Sequence, residues 1–165
     1  MKAALTRRYH FSASHRLHAP ALSNDENARI FGKCNNPYGH GHNYELEVTA
    51  RGTVDPETGL LLDVRQLDRF VSEKVLSRFA NRNINMDLPE FRQLIPTTEN
   101  IAIVIGKTLA DGWVDEFGAA GAKLMGIHVQ ETDRNGFDLA IGAQDHHHED
   151  SVLNTSFASV TDLDK

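Results

Sequence analysis

The chain has a single cysteine, Cys34, among 165 residues. One thiol excludes an internal disulfide framework and fits a reducing compartment. No apolar run approaches the roughly 18 residues that a membrane span requires. The opening MKAALTRRYHFSASH has no apolar core followed by a small-residue cleavage site, so no secretory signal is expected and the expected location is cytoplasmic. Basic charge is also in deficit. Lys and Arg number 17 against 23 Asp and Glu, a net charge of −6, which gives no basic surface to suggest nucleic acid as a partner. Self-similarity at solenoid spacing is absent too. What remains is an ordinary soluble composition, 40% hydrophobic and 24% charged, in a length that suits one domain. That domain is expected over residues 1–143, with a mobile tail over 144–165 that carries the incidental triple His146-His147-His148.

Side chains alternate across a strand with period two and recur along a helix with period 3.6. Residues 3–15 alternate, placing Tyr9, Phe11, Ala13 and His15 on one strand face. Residues 16–39 read as one long excursion. A second strand over 40–51 puts His40, His42, Tyr44, Leu46, Val48 and Ala50 on one face and Glu45, Glu47 and Thr49 on the other. DPETG at 55–59 is a turn, and Leu60–Leu62 can return as a short strand. The period then becomes helical through Val64, Leu67, Phe70, Val71 and Val75, so a helix is expected at about 63–79, opened by Asp63 paired with Gln66. A polar connector follows over 80–96. A second helix starts near Thr97 or Thr98 with the stripe Ile101, Val104, Ile105 and Leu109. Residues 122–131 return to strand, with Met125, Ile127, Val129 and Glu131 on one face; Asp133-Arg134-Asn135-Gly136 forms a hairpin turn centred on Asn-Gly, and Phe137, Leu139 and Ile141 alternate in a last strand. The order β-β-α-α-β-β is an α+β architecture, a four-stranded antiparallel sheet with two helices on one face. Its open edges invite a second subunit, so a homo-oligomer is expected.

The chemistry-bearing residues cluster around the first two strands. His40 and His42 project to the same side, and His15 ends the strand that pairs with theirs. Two histidines at this spacing suit either buried polar residues satisfied by hydrogen bonds or metal ligands. The third imidazole favours metal, because three protein ligands with an open fourth position is how catalytic zinc is held. Iron and nickel also accept imidazole. Cys34 reads either as a small buried apolar group or, beside Lys33, as a thiolate available as base or nucleophile. Glu131 lies on an inward face and needs a partner, either a lysine or a ligand ring with adjacent N–H donors. Glu99 stands at a helix start, where an acid is favoured whether or not it binds anything.

The stretches FSASHRLH (11–18), FGKCNNPYGHGHNYELEV (31–48), VDPETG (54–59), TTEN (97–100) and QETD (130–133) resemble the 6-pyruvoyl-tetrahydropterin synthase family, which includes the 6-carboxy-tetrahydropterin synthases of queuosine biosynthesis. ENARIFGKC and CNNPYGHGHNY are more similar to the biopterin-type branch. The resemblance implies the tunnelling fold, in which three subunits close a barrel and two trimers stack into a hexamer. It implies zinc on His15, His40 and His42, Cys34 as general base, and Glu131 gripping the pterin's N–H edge with help from Thr98 and Glu99. The implied substrate is 7,8-dihydroneopterin triphosphate, whose side chain undergoes an internal redox rearrangement with loss of triphosphate. The implied pathways are tetrahydrobiopterin or queuosine biosynthesis, and the alternatives are a 6-carboxy-tetrahydropterin synthase or a non-catalytic pterin-binding homologue. One departure stands out. Where the family has Asp-His before Lys-Asn-Leu, this chain has Ala80-Asn81 before Arg82-Asn83-Ile84. Neither replacement can relay a proton near neutral pH.

Overall fold

Two long strands make the frame of the molecule. The computed structural model describes residues 2–119 and 121–142. Strand β1 (Lys2–His15) pairs antiparallel with β2 (His40–Thr53) along its whole length, in a register that sets His15 opposite His40, Ala13 opposite His42 and Phe11 opposite Tyr44. β2 pairs with β4 (Lys123–Thr132), and β4 with β5 (Asn135–Ala140), both antiparallel. A fifth, two-residue strand, β3 (Arg82–Asn83), runs parallel to the outer edge of β1, giving the order β3-β1-β2-β4-β5. The expected four-strand sheet is therefore present with one short addition.

One face of this sheet is the core. Tyr9, Phe11 and Ala13 of β1, Tyr44, Leu46, Val48 and Ala50 of β2, and Ile127 and Val129 of β4 are buried together. The helices supply the other half. In α2 (Val64–Val71), Leu67, Phe70 and Val71 turn inward; the helix continues through a π-helical turn (Ser72–Leu76) and α3 (Ser77–Phe79), which bury Val75 and Phe79. Helix α5 (Thr98–Phe117) packs Ile101, Val104, Ile105, Leu109 and Trp113 into the same layer. It lies close to β5: a Cβ on Gly106 would meet Leu139 Cδ2 at 2.4 Å. The other sheet face carries polar pairs, with Arg8 Nε 2.6 Å from Glu47 Oε1 and Ser12 Oγ donating to Asn43 Oδ1 at 2.7 Å.

Several local expectations are corrected. The excursion 16–39 is not structureless: it holds α1 (Asn24–Phe31) and a 3₁₀ turn (Gly32–Asn35). Ser23 caps α1 in a reciprocal box with Glu26, a pattern present in the sequence but hidden by its polar surroundings. Asn27, fully buried, donates to the carbonyls of Ala19, Leu22 and Ser23, which folds the loop around its own side chain. The connector 80–96 contains α4 (Ile84–Asp87) and a 3₁₀ turn (Pro89–Arg92) that bury Ile84 and Phe91. Leu60–Leu62 form no strand; Leu61 and Leu62 pack against the core from the loop, after a turn in which Asp55 Oδ1 accepts from the amides of Glu57 and Thr58. Asp63 caps α2, but Gln66 does not reciprocate and instead donates to Glu116. A bulge in β4 opposite Thr49 and Ala50 rotates Leu124 onto the buried face in place of Met125. The β4–β5 turn falls at Asp133-Arg134, so Asn135 already pairs with Thr132 instead of forming the bend. The tail and its histidine triple lie outside the described residues. Among the described residues no helix is long and apolar enough to cross a membrane.

Candidate active site

The register of β1 against β2 brings three imidazoles to one end of the sheet. Gly39 makes the approach feasible. Its φ is +70°, and a Cβ there would stand 2.8 Å from the backbone oxygen of His15. His15, His40 and His42 then offer nitrogens that all lie within 4.8 Å of one another. His15 Nε2 is 3.3 Å from His40 Nε2. His15 is wholly buried, and its Nδ1 lies 2.8 Å from the carbonyl oxygen of Pro96. A carbonyl only accepts, so the ring proton sits on Nδ1 and the lone pair of Nε2 faces the cluster, the orientation that an outer-shell partner imposes on a metal-bound histidine.

The electrostatics agree with that arrangement. Burial pushes the pKa of His15 down, and burial together with the neighbouring His42 pushes that of His40 down. His15 and His40 are therefore neutral at physiological pH, the form that ligates a cation. His40 Nδ1 and His42 Nε2 are buried without a hydrogen-bond partner among the described residues. Buried polar nitrogens left orphaned are costly, and a bound cation removes that cost at His42 Nε2, which faces the cluster. The donor set thus fits a mononuclear metal ion.

Glu131 stands beside the cluster. Its Oε1 is 3.4 Å from His15 Nε2 and 3.9 Å from His42 Nε2, and its side chain is only 10% exposed. The buried hydroxyl of Tyr44 donates to the same oxygen at 3.4 Å. The other oxygen, Oε2, accepts from Asn135 Nδ2 at 2.8 Å. That amide also donates to Thr98 Oγ1 at 2.9 Å, so one side chain joins the first residue of α5 to the carboxylate on β4. Sequence reasoning missed both Tyr44, which it treated as core, and Asn135, which it placed in a turn. The alternation of β2 puts Tyr44 two residues past His42 on the same face, and that spacing was the available signal.

Cys34 reaches this neighbourhood through the 3₁₀ turn, where its carbonyl accepts from the amide of Leu17, two residues past His15, at 2.8 Å. The charge of Glu131 is felt at the thiol. Burial first and Glu131 second push the Cys34 pKa up, which corrects the expectation that Lys33 lowers it. Glu99 stands apart: it is exposed in the first turn of α5 and makes no hydrogen bond or ion pair among the described residues. Ala80 and Asn81 sit at the far edge of β1, where Asn81 holds φ +59° and its amide donates to the Ser12 carbonyl at 2.7 Å. No hydrogen bond links either of them to Cys34 among the described residues.

A helix-backed antiparallel sheet with three converging imidazoles and a carboxylate at one end defines an α+β protein with a candidate metal-dependent active site. Comparison with known proteins makes the assignment specific. The family model described as 6-pyruvoyl tetrahydropterin synthase matches residues 4–140, and the chain belongs to that family. It is 42% identical over 134 residues to the human 6-pyruvoyl tetrahydrobiopterin synthase, covering 81% of this chain and 88% of that one. It is also 42% identical over 132 residues to the Poecilia reticulata protein of the same name, covering 79% and 85% of the two chains. The solved Caenorhabditis elegans 6-pyruvoyl tetrahydropterin synthase superposes with a TM-score of 0.76 at 36% identity, covering 85% of this chain and 96% of that one.

Proposed function

We propose that this protein is a zinc-dependent lyase of the 6-pyruvoyl tetrahydropterin synthase type, acting on 7,8-dihydroneopterin triphosphate or a close pterin. The observation that carries the reading is the convergent His15-His40-His42 cluster with Glu131 against it. His15, His40 and His42 would hold the zinc. When bound, the ion supplies Lewis acidity that makes the hydroxyl protons of a substrate side chain more acidic.

The chain's own residues do the rest. Glu131 accepts the paired N–H donors of the pterin ring, and Asn135 and Tyr44 fix the direction of its carboxylate. Thr98 bounds the same position from α5, and Glu99, exposed on the first turn of that helix, would help at a pterin held by a neighbouring subunit. Cys34 takes a proton from carbon and returns it. Its raised pKa leaves the thiol protonated at neutral pH, so the working thiolate is a minor form in the single chain. The missing Asp-His relay compounds this, since loss of one general acid or base commonly costs about 10² to 10⁴ in rate. The expected enzyme is therefore slow. The Ala80-Asn81 pair supports a second reading, a pterin-binding homologue without turnover. The edges at β5 and β3, unpaired among the described residues, support a homo-oligomer, a trimer or hexamer in which sheets of several chains join edge to edge.

The test is to incubate zinc-loaded protein with 7,8-dihydroneopterin triphosphate and follow triphosphate release and product masses. Release with a product of the 6-pyruvoyl mass is the expected result. Tight pterin binding with no turnover would establish the second reading instead. Metal analysis of His40→Ala checks the ligand set, since undiminished zinc in that variant would sink it.

A further inference from the structure

Behind the histidine cluster lies a concavity of about 590 Å³. Gly39, the residue before His40, and Pro96, whose carbonyl holds His15, both line it, so it is continuous with the backbone of the candidate metal site. Among the described residues its lining contains Arg16, His18 and Arg92 and no acidic residue, in a chain where acidic residues outnumber basic ones 23 to 17. We propose that this concavity is an oligophosphate site, and that Arg16, His18 and Arg92 hold the phosphate chain of the substrate while its pterin end faces Glu131. The identity of the substrate rests on the proposed function; the anion site does not.

Three features carry the inference. First, Arg16 makes no ion pair among the described residues, whereas Arg7, Arg8 and Arg78 each have a carboxylate within reach. Second, Arg16 is held in place without being neutralised. Asn85 clamps its backbone from both sides, accepting from the amide at 2.7 Å and donating to the carbonyl at 3.0 Å, and its Nε donates to the Asn35 carbonyl at 3.2 Å. The guanidinium keeps its full charge and further N–H donors for a ligand, in the planar fork that suits phosphate oxygens. Third, the tautomer of His18 is fixed. Its Nδ1 lies 3.0 Å from Asn35 Nδ2 and 3.4 Å from Arg16 Nη2. Both of those groups only donate, so Nδ1 carries the lone pair and the ring proton sits on Nε2, where it can be given to an acceptor. Arg16 and His18 thus present N–H donors to a concavity whose other walls, Arg92 apart, are mainly amide and apolar side chains. Three basic side chains with no carboxylate among the described lining suit an anion with many oxygens and oppose a cation.

The experiment titrates zinc-loaded protein with inorganic tripolyphosphate by calorimetry, with orthophosphate and with triphosphate-free 7,8-dihydroneopterin as comparisons. The variants are Arg16→Gln, Arg16→Lys and Arg92→Gln, each checked for zinc content and thermal unfolding. Tripolyphosphate is expected to bind more tightly than orthophosphate. Arg16→Gln should weaken it at least about tenfold, the loss of one charge-assisted contact. Arg16→Lys should fall between Arg16→Gln and the native protein, and dihydroneopterin binding should be unchanged in all three. Tripolyphosphate could also coordinate the zinc directly, and that binding would survive in every variant. Equal tripolyphosphate affinity in native protein, Arg16→Gln and Arg92→Gln would therefore overturn the proposal, as would a parallel loss of dihydroneopterin binding. If Arg16→Gln loses zinc or unfolds, Arg92→Gln, at an exposed position, decides the question. Arginine-dependent anion binding without turnover would defeat the enzyme reading and leave the anion site standing. Turnover with unchanged KM in both variants would do the reverse.

Discussion

Asn135 offers a sharp test of how the carboxylate is aimed. Its amide nitrogen has two hydrogens, one spent on Thr98 Oγ1 at 2.9 Å and one on Glu131 Oε2 at 2.8 Å. Asn135→Ala removes both contacts. A hydrogen bond to a charged group contributes about 1.5 to 3 kcal/mol, and because Asn135 is exposed, water recovers part of this, so the lower end applies. A loss of about 1.4 kcal/mol is tenfold in affinity, so pterin should bind Asn135→Ala about tenfold more weakly. Asn135→Asp is the more severe change. Thr98 can rotate its hydroxyl to donate to the new acid, but Glu131 now faces a like charge where it had a donor. Two unit charges about 4 Å apart repel by about 1 kcal/mol in water and about 4 kcal/mol at an effective dielectric constant of 20. The pair relieves this by sharing a proton, which raises its shared pKa and deprives the pterin edge of an acceptor. Dihydroneopterin affinity, read by ring fluorescence, should therefore fall further in Asn135→Asp than in Asn135→Ala at neutral pH. It should recover as the pH rises and the shared proton leaves, while the native affinity stays flat over the same range. Zinc content should not change. Native affinity in Asn135→Asp, or a loss that tracks zinc, would refute the idea that this amide aims Glu131 at a ligand.

Other perturbations probe the rest of the site. Gly39→Ala forces a side chain into left-handed backbone, which costs about 1 to 2 kcal/mol, and sets its Cβ 2.8 Å from the His15 oxygen; the strand ends should part, and both urea stability and zinc affinity should drop, whereas undiminished zinc affinity would show that the His15–His40 pairing is dispensable. Ala80→Asp with Asn81→His should raise turnover by about 10² if the relay is what the chain lacks, and an unchanged steady-state rate would mean that another group carries the protons. Asp68 accepts from Arg7 and from Tyr9, and these contacts, Arg7 first, hold its carboxyl below the usual range. A depressed folded-state pKa adds stability that is present above the unfolded value and is lost as pH falls through the folded one. Asp68→Asn should accordingly melt below the native protein at pH 7, with the gap closing under acid; a gap independent of pH would assign the loss to packing.

Much of the frame was legible in the chain. The period-two runs that gave β1 and β2 also gave their common face, and His15, His40 and His42 fall on it. The helical stripes of α2 and α5 were equally plain, because burial on one side is what creates them. The shorter elements were not. The helix at Asn24–Phe31 is polar enough to read as loop, with one fully buried residue, Asn27, that acts through hydrogen bonds instead of apolar contact. The bulge that exchanges Met125 for Leu124 has no mark in the alternation, since both residues are apolar and only the pairing with β2 decides between them. The Asn-Gly pair suggested a bend, yet Asn135 is used as a donor between two elements, a role set by partners distant in sequence.

The sequence by itself determined the strand faces, the two main helices, the histidine trio and the family, because each depends on spacing along one or two segments. Only the tertiary structure decided what those residues do to one another. It is the burial of His15 and His40 that keeps them neutral, the Pro96 carbonyl that turns His15 toward the cluster, and burial, with the nearby Glu131 second, that raises the Cys34 thiol against the pull expected from Lys33. Desolvation and electrostatic coupling act through space between segments far apart in the chain, so they appear only once the chain has folded.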